Sequence, residues 1–186
     1  MKQILLIILF FVCLASNVNA SAKPLVDTVS NRPAPKFILK DTNGKIVRLA
    51  DYKGKTLVID FWATWCIPCR KSFPAIKMVM EKYKNDPTVK FLFIDTKEVA
   101  ANYKKLVRDF LADNKYDFHT VFDEKGEDGK MDLNFKKYLM PGIPAKYFID
   151  KNGIIRYQSL GFNTALSIKE SALEIKNIIE KIKKDN

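Results

Sequence analysis

The sequence predicts an α/β domain in which helices cover both faces of a central mixed β-sheet. Short apolar runs alternate with longer segments whose apolar residues recur at helical spacing, and the chain ends in a hairpin followed by a helix. An Asn-Gly pair near the N-terminus predicts an added β-hairpin before the main sheet. The 186 residues, 47% of them hydrophobic, are enough for one globular domain with a core.

Residues 1–20 have the pattern of a secretory signal peptide. Lys2 precedes an apolar stretch over residues 4–14, and the small-residue sequence VNA at 18–20 fits a cleavage site. An uncleaved membrane anchor is the alternative, but the apolar stretch is shorter than the roughly 20 residues that a bilayer span needs. We expect cleavage after Ala20, which removes Cys13, leaves no stable membrane insertion and gives a periplasmic or otherwise exported protein.

The first part of the mature chain combines a linker with a hairpin. Residues 21–34 contain Pro24 and Pro33 among mixed polar residues, and we expect a linker there, followed by a single domain over 35–186. Residues 37–40 and 46–49 flank the sequence DTNG, whose Asn-Gly step is a strong hairpin signal. Residues 51–54 form a turn before the next apolar run.

Alternating strands and helices follow. The apolar runs predict a buried strand over 56–61, a second over 89–94 and a short one over 119–122. The helix after Cys66 has an apolar stripe at helical spacing, with Pro74 expected to kink it. A second helix is expected over 98–113. Its inward-facing residues are expected to be Val99, Tyr103, Leu106 and Phe110.

The C-terminal third is predicted to form a hairpin and a long helix. Residues 145–149 and 154–159 flank Asn152-Gly153, which favours a tight turn. Ser167 and Glu170 have the spacing of a capping box at the start of the last helix.

The charge excludes little except nucleic-acid binding. The formal net charge is +11 at pH 7, but lysines are scattered along the whole chain. Nucleic-acid recognition favours a patterned basic stripe with interleaved aromatic residues, and the sequence has no such stripe. Solvated lysine-rich faces explain the charge more simply than an anionic partner does.

Two cysteines separated by two residues carry the chemistry. Cys66 and Cys69 lie in the sequence WATWCIPC at 62–69, directly after a buried strand and before a helix. A disulfide between them closes almost no loop and so contributes little stability. The pair therefore favours thiol-disulfide exchange over a structural bridge. Zinc binding needs two further ligands, and the chain offers one histidine, His119, besides carboxylates.

With these motifs in order, the chain resembles the thioredoxin-fold thiol-disulfide oxidoreductases, and most closely their exported TlpA/ResA-like branch. The resemblance covers about residues 33–184. It rests on WATWCIPC, on Pro74 five residues after the second cysteine, on GIPA at 142–145 and on KGK at 53–55. It implies a thioredoxin-like fold with the added N-terminal hairpin.

The resemblance also implies roles at the active site. Cys66 is the attacking cysteine and the more exposed of the pair, and the helix N-terminus favours its thiolate. Cys69 resolves the mixed disulfide. Pro144 aligns with the cis-proline that faces the dithiol in this fold. The residues expected to tune the pair or to contact substrate are Trp65, Ile67, Pro68 and Ile143, while Trp62 is expected in the core.

Asp60 is the remaining candidate catalytic residue. It interrupts an apolar strand six residues before Cys66, where thioredoxin carries a buried acid that takes a proton from the resolving cysteine. The alternative is a strand-end carboxylate without a role. Many relatives have a glutamate where this chain has Ser72, and the lysine that pairs with the thioredoxin acid aligns with Phe91. We therefore expect apolar surroundings and a raised pKa for Asp60.

The resemblance favours a reductant of cysteine-containing exported proteins, with apocytochrome c as one possible substrate. Such a reductant takes electrons from a membrane thiol carrier and needs no cofactor beyond the Cys66–Cys69 disulfide. An oxidase or isomerase of exported proteins is the second possibility. A copper chaperone using both cysteines and a third soft ligand such as His119 is the non-enzymatic one. Residues 124–134 form a long connection that we expect at the partner-docking rim.

Overall fold

An eight-stranded mixed β-sheet forms the centre of the computed structural model, which describes residues 28–185. The predicted signal peptide over 1–20 and residues 21–27 of the predicted linker lie outside the described residues. The strands are β1 Thr28–Pro33, β2 Ile38–Asp41, β3 Ile46–Arg48, β4 Thr56–Trp62, β5 Val89–Asp95, β6 Thr120–Phe122, β7 Ala145–Ile149 and β8 Ile154–Leu160.

The strand order across the sheet is β1-β8-β7-β4-β5-β6-β2-β3. The central strands β4, β5 and β6 run parallel, and every other neighbouring pair is antiparallel. A 3-10 helix spans Leu49–Tyr52. The α-helices are α1 Ile67–Tyr83, α2 Tyr103–Asp113, α3 Leu133–Lys137 and α4 Ile168–Lys184.

The alternation of side chains along β4 divides the core between the two faces of the sheet. Val58 and Trp62 face the larger cluster, which α1, α2 and α4 cover. Leu57, Ile59 and Phe61 face the second cluster, which the N-terminal hairpin, the 3-10 helix and α3 cover. The predicted sheet with helices on both faces is confirmed, as is the N-terminal hairpin formed by β2 and β3.

The predicted linker is wrong for its last part, because residues 28–33 form strand β1 on the edge of the sheet. The prolines that indicated a loop do not prevent this pairing. Pro33 is the last residue of an edge strand, where a missing N–H costs little. The Arg32 guanidinium also donates a hydrogen bond of 2.6 Å to the carbonyl oxygen of Tyr138 and fixes the strand to the domain.

The second helix is shorter than the sequence predicts. Helix α2 begins at Tyr103, and its buried residues are Val107 and Leu111. Val99 is 90% exposed and Leu106 is also exposed, so the predicted inward stripe is wrong at these two positions. Residues 96–98, just before this helix, contact the loop that precedes Cys66, as described below.

The other predicted elements are confirmed. β7 and β8 form the C-terminal hairpin. Ser167 and Glu170 form the capping box of α4: the Ser167 hydroxyl accepts from the Glu170 N–H at 3.2 Å, and the Glu170 carboxylate accepts from the Ser167 N–H at 2.7 Å. Pro74 lies inside α1, which continues through it.

Candidate active site

The two cysteines lie where β4 ends and α1 begins. Cys66 is the N-cap residue of α1, and its Sγ accepts a hydrogen bond of 3.3 Å from the Cys69 N–H. The two residues form a disulfide with a Cα–Cα distance of 5.3 Å. Pro68 is in the first turn of α1, where its missing N–H leaves no helical hydrogen bond unmade. The N–H groups of this turn point toward the dithiol and favour a thiolate there.

Exposed apolar side chains lie beside the dithiol. Cys69 is fully buried, whereas Cys66 retains 3% of its surface. Trp65 is 50% exposed and Ile67 is 62% exposed, and Pro68 beside them is also exposed. A partner can therefore reach this pair of cysteines only through Cys66, across exposed apolar side chains.

The predicted cis peptide bond before Pro144 is present. Ala145 pairs with Phe61, so the preceding residues Ile143 and Pro144 lie at the same end of the sheet as the dithiol. Half-buried Ile143 packs against the core cluster that contains both cysteines. The structure thus brings Ile143 and Pro144 to the site where the sequence places them.

The two tryptophans have different environments, as the sequence predicts. Trp62 is fully buried, with its ring 5.1 Å from that of Phe73 in an edge-to-face contact. Trp65 is half exposed, and its indole N–H donates a hydrogen bond of 3.1 Å to the carbonyl oxygen of Lys97. This bond holds the exposed ring beside Cys66.

Asp60 and Lys146 form a buried ion pair beneath the site. The Lys146 Nζ lies 3.3 Å from the Asp60 Oδ2, and the side chains are 1% and 3% exposed. The expectation that Asp60 has no charged partner is therefore wrong. We looked for a partner on the neighbouring strand β5, where Phe91 is apolar. The lysine instead comes from β7, where Lys146 lies directly opposite Asp60 in the antiparallel register.

The pKa of Asp60 is raised above its usual value, as expected, because burial disfavours the carboxylate. The positive charge and the hydrogen bond of Lys146 act in the opposite direction and reduce this rise. Asp60 is consequently a carboxyl group whose affinity for a proton depends on one neighbouring lysine.

Comparisons with known proteins agree with this geometry. The model of the AhpC/TSA family matches residues 30–158. The chain belongs to the AhpC/TSA family. It is 32% identical over 139 residues to the thiol-disulfide oxidoreductase ResA of Bacillus thuringiensis subsp. konkukian, covering 75% of this chain and 74% of that protein.

Two further comparisons point the same way. The chain is 29% identical over 134 residues to the sporulation thiol-disulfide oxidoreductase A of Bacillus subtilis, covering 72% of this chain and 76% of that protein. A thioredoxin family protein of Chlorobium tepidum TLS, a thiol:disulfide interchange protein, shares the fold with a TM-score of 0.65 at 22% identity, over 83% of this chain and 98% of that one. The protein is a thioredoxin-fold thiol-disulfide oxidoreductase, similar to ResA, that acts on cysteine-containing proteins.

A segment that the sequence did not single out holds the active-site loop of the oxidoreductase. Residues 96–98 follow β5 and make backbone and side-chain contacts with residues 62–65. The Thr96 N–H donates to the Trp62 carbonyl oxygen at 2.8 Å, and the Thr64 N–H donates to the Glu98 Oε1 at 2.6 Å. The sequence does show an acidic residue, Glu98, shortly after the apolar run of β5, but this pattern does not indicate which loop the carboxylate contacts.

Asp95, at the end of β5, is fully buried beside this segment. Burial raises its pKa well above the usual value of 3.8, and the negative charges of Glu98 and Asp123 raise it further. Asp95 therefore retains its proton at pH values where an exposed aspartate is ionised.

Asp95→Asn is expected to stabilise the oxidoreductase increasingly as the pH rises. The folded state holds the Asp95 proton more tightly than the unfolded chain does. The free energy of unfolding therefore falls as the pH rises from 3.8 toward the raised pKa. The asparagine lacks this ionisation. Urea unfolding of both proteins at several pH values measures the difference, and a difference that does not change with pH would contradict the assignment.

His119 is not brought to the cysteines. It directly precedes β6. The other end of this strand, at Phe122, is the end near the active site, because Phe122 pairs with Asp95 and Asp95 pairs with Trp62. The His119 Nδ1 is 3.2 Å from the Tyr52 hydroxyl, and its Nε2 is 3.9 Å from the Asp41 carboxylate. Within residues 28–185 there is no group of three or more His, Cys, Asp or Glu side chains able to hold a metal ion.

Residues 124–134 form a folded connection rather than an extended loop. Lys125 and Met131 form an isolated antiparallel bridge, and α3 begins at Leu133. The Lys97 N–H donates a hydrogen bond of 2.6 Å to the Met131 carbonyl oxygen. This connection therefore contacts the segment that holds the active-site loop, and its role in docking stays a prediction.

The described helices give no membrane span. Over the part of the chain that the structure describes, none of them is both long and apolar enough to cross a bilayer.

Proposed function

We propose that the protein is an exported reductant that transfers two electrons from the Cys66–Cys69 dithiol to disulfides of other exported proteins. The observation that carries the proposal is the burial of Cys69 beneath a slightly exposed Cys66 in an apolar surface. This arrangement favours attack by one sulfur on a docked polypeptide. The similarity to ResA and the signal-peptide pattern of residues 1–20 support the direction and the location.

The reaction begins with the Cys66 thiolate. It attacks one sulfur of the substrate disulfide, the substrate S–S bond breaks, and the second substrate sulfur leaves as a thiolate that takes up a proton. The Cys69 thiol then gives its proton to Asp60, directly or through a water, and attacks the Cys66 sulfur. The Cys66–Cys69 disulfide forms, the substrate leaves with two thiols, and the protein is oxidised by two electrons.

The substrate surface consists of the exposed apolar residues around the dithiol and of residues 143–144, which contain the cis-proline and precede β7. Trp65, Ile67 and Pro68 contact the side chains that flank the substrate cysteine, and the backbone of Ile143 is available to pair with an extended substrate segment. Pro144 keeps this backbone beside the dithiol. A polypeptide with apolar residues around its cysteines, such as an unfolded apocytochrome c, fits this surface.

Return to the dithiol requires an external donor. An oxidising compartment outside the cytoplasm has no thiol buffer that supplies electrons, so a membrane thiol carrier is the donor that fits. The reaction uses no cofactor besides the two sulfur atoms.

The direction is tested by measuring exchange both ways. Reduced protein is mixed with a peptide carrying an oxidised CxxCH sequence, oxidised protein with the same peptide reduced, and the products are separated after acid quench. A reductant converts the oxidised peptide faster and more completely. Faster oxidation of the reduced peptide would instead assign an oxidase. Absence of exchange, with stoichiometric copper retained in mass spectrometry and lost in Cys66→Ser, would assign a copper chaperone.

Asp60→Asn is expected to slow the second step of the exchange. The asparagine cannot accept the Cys69 proton, so resolution of the mixed disulfide should fall by about a hundredfold or more near neutral pH, in the range of general acid–base effects. Stopped-flow decay of a preformed mixed disulfide across the pH range measures it. An unchanged rate and pH profile would remove Asp60 from the mechanism.

A further inference from the structure

We propose that Lys146 is a positioning residue that joins β7, the strand directly after the cis-proline, to the proton acceptor beneath the resolving cysteine. The inference deepens the proposed function and rests on it for the role of Asp60. Lys146 is 1% exposed, which is rare for a lysine, and it lies at the centre of the sheet rather than at an edge. A buried cation at this place is costly unless it is paired with an opposite charge and hydrogen-bonded.

The contacts of Lys146 form an oriented chain that ends at Cys69. Its Nζ lies 3.3 Å from the Asp60 Oδ2 and donates to the Ser72 Oγ at 3.3 Å. The Ser72 hydroxyl in turn donates to the Cys69 carbonyl oxygen at 2.8 Å. One ammonium group thus contacts both the proton acceptor and, through one hydroxyl, the backbone of the cysteine that gives up the proton.

Lys146 is the charged group that acts on Asp60. On β5 the residue opposite Asp60 is apolar Phe93, and on α1 the nearby groups are Cys69 and Ser72. Across β8, Lys146 is paired with Ser159. Apart from the ion pair, no donor among the described residues hydrogen-bonds to the Asp60 carboxylate. Removing Lys146 therefore leaves a buried carboxyl group with nothing to stabilise its charge.

The position of Lys146 in the sequence gives the link to substrate. It is the second residue of β7, which begins at Ala145 directly after the cis-proline Pro144. Lys146 projects from the dithiol face of the sheet, as Phe148 does two residues later on the same strand. A substrate segment that pairs with the backbone of Ile143 contacts the chain directly before the strand that carries the ammonium group. Substrate docking and the partner of the proton acceptor thereby lie on one short stretch of chain, residues 143–146.

Lys146→Met is the direct test. The Asp60 carboxyl band is followed by isotope-edited infrared spectroscopy against pH in the reduced protein, and the decay of a preformed mixed disulfide is followed in parallel. Because an opposite charge at this distance lowers a carboxyl pKa by about 1–3 units, the midpoint should rise by about one pH unit or more. Resolution near neutral pH should slow by about tenfold or more, and rise again at higher pH. An unchanged midpoint would overturn the proposal.

Three further variants separate positioning from packing. The double variant Lys146→Met, Asp60→Asn should have the same pH profile of resolution as Asp60→Asn alone. A further change in that profile would overturn the link from Lys146 to Asp60. Ser159→Ala removes a buried hydroxyl opposite Lys146 and should move neither readout. Ser72→Ala breaks only the link to Cys69 and serves where Lys146→Met does not fold. It should slow resolution several-fold, and an unchanged rate would overturn the chain to Cys69.

Failure of the proposed function and failure of the role of Lys146 give different experimental results. If the protein is an oxidase instead of a reductant, the Asp60 midpoint still moves with Lys146→Met while net exchange runs the other way. If exchange proceeds as a reductant and the midpoint does not move, the proposed function holds and the role of Lys146 is refuted.

Discussion

Replacing Cys69 with serine is expected to stop the exchange half-way and to trap the protein in a covalent disulfide with its substrate. Cys66 can still attack, because its thiolate is favoured by the N-terminus of α1 and because it keeps 3% of its surface whereas Cys69 keeps none. The serine hydroxyl cannot displace the substrate sulfur. We expect turnover to fall by several orders of magnitude while one substrate molecule per protein accumulates as a reducible adduct on a non-reducing gel.

Two variants complete this experiment. Cys66→Ser should form no adduct and have no turnover, because the remaining thiol is fully buried. The double variant gives the background. An adduct that forms equally well on Cys66→Ser would contradict the assignment of Cys66 as the attacking residue, because it would require Cys69 to reach the substrate.

Phe73→Ala is expected to have the largest effect on stability. Phe73 is fully buried in α1, and its ring makes edge-to-face contacts with Trp62 at 5.1 Å and with Phe118 at 5.2 Å. Truncation leaves a cavity between α1 and the sheet, and such substitutions cost about 3–5 kcal/mol. Urea unfolding of the oxidised protein measures the loss, which is a large part of the stability of a typical domain.

A matched control lies on the same helix. Met78 is 46% exposed, so Met78→Ala should change the free energy of unfolding by no more than about 0.5 kcal/mol. If Phe73→Ala cost as little as Met78→Ala, the packing of α1 on the sheet would differ from the structure. The dithiol in the folded fraction should still cycle between its reduced and oxidised forms, because the apolar side chain of Phe73 has no group that takes part in the exchange.

The local patterns in the sequence predicted most of the fold. The Asn-Gly hairpin, the capping box at Ser167 and the strand before Cys66 depend on residues close together in the chain, and the structure confirms each of them. The dithiol followed from its spacing in the same way. Local patterns are sufficient here because periodicity and turn chemistry act over a few residues.

The parts that were missed depend on contacts between distant segments. Strand β1 forms because the edge of β8 accepts it, and no local pattern around Pro33 indicates that edge. The partner of Asp60 was sought on β5 and came from β7, 86 positions later in the chain, because the register of β4 with β7 sets Lys146 opposite it. The contact from Glu98 to the Thr64 N–H likewise follows from the sheet order.

The reduction potential of the Cys66–Cys69 pair is the measurement that tests the central claim most directly. The mature protein is equilibrated with redox buffers of stepped potential, and the dithiol fraction is counted after alkylation. A reductant of this kind should lie near the value of thioredoxin, about −270 mV, and a value near that of the strong oxidant DsbA, about −120 mV, would contradict the account.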